Sequence, residues 1–160
     1  MKRIYLIRHS YAVGDRMLSD RERPLTDDGK RAALSMSREL LNGSHIPDCI
    51  ISSPAQRALE TAIIFAGTFN ISAKNITTHE SLYDNLRLNS FLHIIDEVNE
   101  KYQSVFVFGH NPIITEISTI LSPEFNDAIP PCGVAGIEFK VEKWSDINVN
   151  EGRLLLFEKP

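Results

Sequence analysis

The stretch Lys2-Arg3-Ile4-Tyr5-Leu6-Ile7-Arg8-His9-Ser10 decides how this chain is read. Its apolar run, Ile4 to Ile7, is long enough for one buried strand and too short for an ordinary helix. At its end stand an arginine and a histidine. A buried strand that stops at side chains able to bind anions and carry protons is one way an open α/β sheet presents chemistry at its carboxyl edge. The dipeptide equally fits a strand ending beside a surface loop, so the decision rests on whether the rest of the chain repeats the plan.

Cys49-Ile50-Ile51 is a second short apolar strand, followed at once by Ser52-Ser53-Pro54-Ala55-Gln56-Arg57. Ser53 as N-cap, Pro54 at the first helical position and Gln56 three residues beyond the cap predict a helix start. Ala58, Ala62, Phe65 and Phe69 would mark its buried face. Ile76-Thr77-Thr78 reads as a third strand leading to Glu80-Ser81-Leu82-Tyr83-Asp84, and Phe91, Ile94, Ile95 and Val98 then recur at helical spacing. Val105-Phe106-Val107-Phe108 is the clearest buried strand. It ends in Gly109-His110-Asn111-Pro112, where Asn111 is expected to cap a helix bearing Ile113, Ile117, Ile120 and Leu121.

Between the first two strands, residues 10–24 form a polar loop with the charged run Asp20-Arg21-Glu22-Arg23, and Thr26 is the expected cap of a helix over 27–42. The apolar segments 134–141 and 153–157 predict a hairpin-like strand pair at one edge of the sheet. Repeated strand, loop and helix units argue for a three-layer α/β/α sandwich with a mainly parallel sheet. A length of 160 residues fits a single domain covering 1–160.

A formal net charge of −4 argues against a general nucleic-acid binder, so any affinity for anions has to be local. Cys49 and Cys132 form no CxxC pair and suggest neither a metal centre nor a redox motif. Arg8 and His9 interrupt the first apolar run, which therefore does not read as a secretory leader. No apolar stretch approaches the roughly 18 residues of a membrane span. The expectation is a cytoplasmic protein with no membrane association.

Polar residues follow each of the first four strands: Arg8-His9, Ser52-Ser53 with Arg57, Glu80 to Asp84, and His110. Parallel strands deliver their carboxyl ends to one edge, so these residues can meet in one crevice. A cation in the first turn of a helix, such as Arg57, faces the positive end of the helix dipole. It either turns into solvent or meets a bound anion. Two arginines and two histidines suit a phosphoryl group, which takes planar charged donors from Arg and a nucleophile or proton carrier from His.

These residues resemble the histidine phosphatase superfamily, and within it the small phosphohistidine phosphatases of the SixA type. The resemblance is carried by Leu6-Ile7-Arg8-His9, by Arg23-Pro24-Leu25-Thr26-Asp27-Asp28-Gly29, by the run from Ser52 to Ala62, and by Gly109-His110-Asn111-Pro112. It extends to Pro131-Cys132-Gly133-Val134-Ala135 and Phe139, and so covers nearly the whole chain. Ser10 stands where many members of the wider superfamily have glycine. The resemblance implies a phosphoglycerate mutase-like fold and a phosphatase that needs no cofactor or metal. His9 would be the nucleophile, forming a transient phosphohistidine, while Arg8, Arg57 and His110 hold the phosphoryl oxygens. The sequence leaves two places for Arg23: it either reaches the crevice from the first loop as a further phosphate ligand or stays solvated within the run Asp20-Arg21-Glu22-Arg23. Asp84, or failing it Glu80, would be the proton donor.

An alkoxide leaving group needs a proton in the transition state, whereas an imidazole, whose conjugate acid has a pKa of about 6.5, leaves with little help. A weakly placed acid, and the short connection from Asp84 to Phe91, therefore favour the phosphohistidine of a protein partner as substrate. The alternatives are a small phosphomonoester, a phosphate-binding protein without turnover and, further off, a mutase. His45, His79 and His93 are expected at the surface, and Trp144 is expected to pack the C-terminal loop.

Overall fold

The computed structural model describes residues 1–160. One six-stranded sheet forms the middle layer: β1 (Lys2–Arg8), β2 (Cys49–Ser52), β3 (Thr77–Thr78), β4 (Ser104–Gly109), β5 (Val134–Phe139) and β6 (Arg153–Glu158), in the order β3-β2-β4-β1-β5-β6. The first four run parallel; β5 lies antiparallel to β1, and β6 antiparallel to β5 at the edge. The C-terminal pair is thus the expected hairpin, with its inner strand against β1.

Four helices cover the sheet: α1 (Asp27–Asn42), α2 (Gln56–Thr68), α3 (Leu88–Asp96) and α4 (Ile113–Leu121). Strand alternation sends side chains to two cores. Ile4, Leu6, Val105 and Val107 pack with residues of α3 and α4, while Tyr5, Ile7, Phe106 and Phe108 pack with α1 and α2. The three-layer α/β/α architecture follows from that division.

The register sets the carboxyl ends of the central strands level with one another. Arg8 pairs with Gly109, and Ser52 with Phe108. Beyond the ladders, the His9 amide donates to the Gly109 carbonyl at 3.0 Å and the Ser53 amide to the Phe108 carbonyl at 2.9 Å. The turn Pro131-Cys132-Gly133 closes the other side, its Gly133 carbonyl accepting from the Arg8 amide at 3.2 Å. Three segments distant in sequence are therefore fixed around the end of β1.

α1 begins as expected, with Thr26 Oγ1 accepting from the Gly29 amide at 2.9 Å. Gly29 is required for a packing reason: a Cβ there would run into the carbonyl oxygen of Tyr11 on the loop after β1. The starts of α2 and α4 differ from the expectation. α2 begins at Gln56 with Ala55 in the cap position, and Ser53 Oγ accepts from the Ala55 amide at 3.2 Å instead of capping the helix. α4 begins at Ile113 after Pro112, while the Asn111 side chain donates to the Ile129 carbonyl at 2.9 Å and accepts from Thr115 Oγ1 at 2.9 Å. In both cases the polar side chain expected to cap a helix is engaged elsewhere.

Candidate active site

At the level ends of β1, β2 and β4 lies a cavity of about 410 Å³, lined by Arg8, His9, Ser10, Tyr11, Ala12, Arg23, Arg57, His110, Asn111 and Pro131. The His9 and His110 rings face each other across it with centroids 5.1 Å apart. His9 Nδ1 lies 2.7 Å from the Ser10 carbonyl oxygen. A carbonyl only accepts, so Nδ1 carries the proton and Nε2 keeps its lone pair. Arg57 Nε donates to that Nε2 at 3.4 Å.

Burial pushes the His9 pKa down to about 4, a shift that the hydrogen bond to Ser10 opposes and the charges of Arg57, Arg8 and Arg23 reinforce. Burial likewise lowers His110 to about 3, helped by His9 and Arg57. Both imidazoles are neutral near pH 7. His110 Nε2 meets Ser53 Oγ at 2.8 Å, while His110 Nδ1 and Arg8 Nε are buried without a partner in the protein. Arg8 is anchored from the other side by its Nη1, which donates to the Ile129 carbonyl at 3.2 Å.

Arg57 turns inward, only 6 % exposed, so the sequence-level choice between solvent and the crevice is settled for the crevice. Its Nη1 donates to the Asp20 carbonyl at 2.6 Å and its Nη2 to Asp20 Oδ2 at 3.1 Å. Arg23 does reach the cavity lining, held by Asp20 Oδ1 at 3.0 Å and by the Val13 carbonyl at 3.3 Å. Asp20, which the sequence presents only as part of a charged loop, is the residue that composition and pattern miss. Burial works to raise its carboxyl pKa, but hydrogen bonds from Tyr83, Arg57 and Arg23 outweigh it and hold the value at about 2.

A match to the sequence pattern of the histidine phosphatase superfamily, branch 1, spans residues 4–106. The chain belongs to that superfamily. No curated protein sequence matches it. Among solved structures, SixA of Agrobacterium tumefaciens, assigned as a phosphohistidine phosphatase, is 25% identical with a TM-score of 0.82, the match covering 99% of this chain and 98% of that one. The SixA structure from Nakamurella multipartitia is 23% identical with a TM-score of 0.83 over 99% of this chain and 96% of that one. A protein histidine phosphatase SixA complexed with tungstate is 21% identical, TM-score 0.83, over 97% of this chain and 95% of that one.

Ser10, the residue that follows His9, is buried at the end of β1. Its backbone is not in the left-handed region, so no glycine is needed. Its buried hydroxyl donates to the Gly29 carbonyl at 2.7 Å, and its amide to Thr61 Oγ1 at 3.0 Å, tying β1 to α1 and α2.

The two candidate acids lie outside the cavity lining. Glu80 is exposed and holds Arg21 through both carboxylate oxygens, at 2.6 and 2.8 Å. Asp84 is exposed, and its side chain has no hydrogen-bond partner. Of the histidines expected at the surface, His93 is exposed, whereas His45 and His79 are half-buried. His45 is held there by the Tyr5 hydroxyl at 2.8 Å, and His79 lines a separate concavity with Cys49 and Ile94.

Proposed function

We propose that the chain is a phosphatase in which His9 Nε2 takes the phosphoryl group of a phosphohistidine and passes it to water. The observation that carries this reading is the His9 imidazole, neutral, with its proton fixed on Nδ1 by the Ser10 carbonyl and its Nε2 lone pair turned into an arginine-lined cavity. In the first step Nε2 forms a bond to phosphorus as the P–N bond of the substrate, protonated on its other ring nitrogen, breaks and the electron pair returns to the departing nitrogen, so that it leaves as neutral imidazole. In the second, water attacks the phosphohistidine, the His9 N–P bond breaks, and inorganic phosphate departs while Nε2 regains its lone pair.

Phosphoryl transfer asks the protein for position and for charge on the equatorial oxygens. Arg8, Arg57 and Arg23 supply the charge. Arg8 Nε and His110 Nδ1, buried and unpartnered, are donors suited to oxyanion oxygens. Ser53 Oγ can give its proton to His110 Nε2, which leaves the ring proton of His110 on Nδ1 for this purpose. The reading calls on no metal, since three guanidinium groups converge where the charge develops.

The nearby carboxyl groups favour a phosphoramidate substrate. Asp20 is held ionised by two arginines and Glu80 is paired with Arg21, so neither has a proton to give an alkoxide. A departing imidazole needs little help. The test is phosphate release, with chelator present, from a phosphohistidine-bearing protein and from an aryl phosphate, each against His9→Ala. Preference for phosphohistidine, lost in the variant, is the expected result. Preference for the aryl ester would move the substrate to small phosphomonoesters and make Asp84 the working acid. Release from neither would leave a phosphate-binding protein.

A further inference from the structure

Asp20 stands at the meeting point of two arginines that line the cavity, yet it does not line the cavity itself. Oδ1 accepts from Arg23 Nε at 3.2 Å and Nη2 at 3.0 Å. Oδ2 accepts from Arg57 Nη2 at 3.1 Å and from the Tyr83 hydroxyl at 2.8 Å. With the backbone carbonyl of Asp20 on Nη1 at 2.6 Å, Arg57 is gripped at both terminal nitrogens. Its remaining Nε points to His9 Nε2.

Two roles for such a carboxylate make opposite demands on geometry. A competitor for the phosphoryl group would enter the cavity and take the guanidinium edge that faces His9. Asp20 does neither: it holds the far end of Arg57 and leaves the His9 edge open. We propose that Asp20 is a positioning residue, a carboxylate clamp that holds Arg57 and Arg23 from outside the cavity and keeps Arg57 Nε aimed at the phosphoryl group on its way to His9. This rests on the reading of the site given above.

The physical need is clear. Two guanidinium groups side by side repel, and each long side chain has rotamer freedom that would be lost on binding. A carboxylate between them offsets the repulsion and fixes the geometry before the substrate arrives, which is preorganisation. The clamp is itself held. Besides Tyr83, the neighbouring Arg21 pairs with Glu80, so the segment around Asp20 is tied twice to the segment after β3.

The sign of the effect separates this role from simple electrostatics. Removing a negative charge beside an anion site should, by Coulomb's law alone, tighten anion binding. A clamp predicts the reverse. The experiment measures tungstate affinity, and kcat and KM on a phosphoramidate, for the full chain and for Asp20→Ala, Asp20→Asn, Arg57→Ala and the double variant Asp20→Ala/Arg57→Ala. Expected are a loss in kcat of about 10- to 100-fold and weaker tungstate binding in Asp20→Ala, with a smaller loss in Asp20→Asn. In the double variant most of the Asp20→Ala loss should already be contained in that of Arg57→Ala, because the clamp acts chiefly through that arginine, leaving only the smaller part that Asp20 exerts on Arg23.

Tyr83→Phe, which removes one hydrogen bond to the clamp and no charge, should lower kcat by only a few-fold, on the order of one lost hydrogen bond. It remains informative if Asp20→Ala fails to fold. Glu142→Gln, the same charge change at an exposed carboxylate outside the clamp, should leave both readouts within about twofold, as for other exposed surface groups. Tighter tungstate binding with unchanged or faster turnover in the Asp20 variants would overturn the clamp, as would Asp20 and Arg57 losses that simply multiply. A wild-type protein that neither binds tungstate nor releases phosphate would instead overturn the reading of the site, and the clamp with it.

Discussion

His9 Nδ1 lies 2.7 Å from the carbonyl oxygen of Ser10, the residue that follows it. The contact is local, made by the turn that ends β1, and it fixes which ring nitrogen is free. Combined with burial, it gives a histidine that is neutral and correctly protonated well below its ordinary range.

The first expectation concerns pH. The His9 pKa of about 4 lies below the ordinary value of 6.5, so the attacking form persists into mild acid. The acid limb of kcat/KM on a phosphoramidate should fall through about 4; a midpoint near 6.5 would show a solvated nucleophile. Folding is linked to the same groups. His9 and His110 (about 3) have depressed folded-state values, so the unfolded chain binds more protons below 6.5. Their contribution to stability is complete above 6.5 and is lost as pH falls through 4 and 3. Thermal melts between pH 7 and pH 4 should show Tm falling, with a shallower slope in His110→Ala.

Arg57 should not tolerate lysine. It divides three nitrogens between Asp20 and His9, a fork that one ammonium cannot reproduce. Removal of a donor aimed at transition-state charge costs about 10²- to 10³-fold in kcat. Arg57→Ala should show a loss of that order and Arg57→Lys most of it. Rates in Arg57→Lys within a few-fold of wild type would mean that only its charge matters.

The rim carboxylates should matter far less for phosphoramidates. The Arg21–Glu80 pair is exposed on both sides, and such pairs contribute about 0–1 kcal/mol. Glu80→Gln and Asp84→Asn should each stay within about threefold of wild type on a phosphohistidine substrate, a range of that size in energy. The informative comparison is an alkyl or aryl phosphate, where a selective drop in Asp84→Asn would make Asp84 its proton donor.

Stability has a separate anchor at the other end of β1. Lys2 is fully buried, its Nζ donating to the carbonyls of Glu100 and Tyr102 at 2.7 Å each and lying 4.9 Å from the Trp144 ring centroid. Lys2→Ala strands both carbonyls and opens a cavity. The cost should be about 2–4 kcal/mol, with Tm lowered by roughly 5–12 °C. A melt unchanged within about 2 °C, less than 1 kcal/mol for a chain of this size, would show that solvent replaces the contacts.

What was legible in the sequence followed from local rules, and what was not required partners from afar. The Thr26 cap, the apolar alternation of β1 and β4, and the polar residues at the ends of three strands depend on neighbours a few positions away. The starts of α2 and α4 were misplaced because Ser53 and Asn111 have tertiary partners, His110 and Ile129, that outcompete the helix ends. Asp20 reads as one charge in a solvated run, since nothing nearby reveals that Arg57 and Tyr83, 37 and 63 residues on, both reach it. Lys2 likewise looks like an ordinary polar start to a strand. Only the fold brings Trp144, confirmed as the packing residue of the C-terminal loop, over its ammonium group.

The central claim is a covalent phosphoryl group on His9, and the most direct test is rapid quenching of the protein during turnover of a phosphoramidate, followed by peptide mapping. A phosphoryl group that is labile in acid, stable in base, located on His9 and absent from His9→Ala is the predicted result. Turnover with no bound phosphate at any time, or a phosphoryl group on His110 instead, would contradict it.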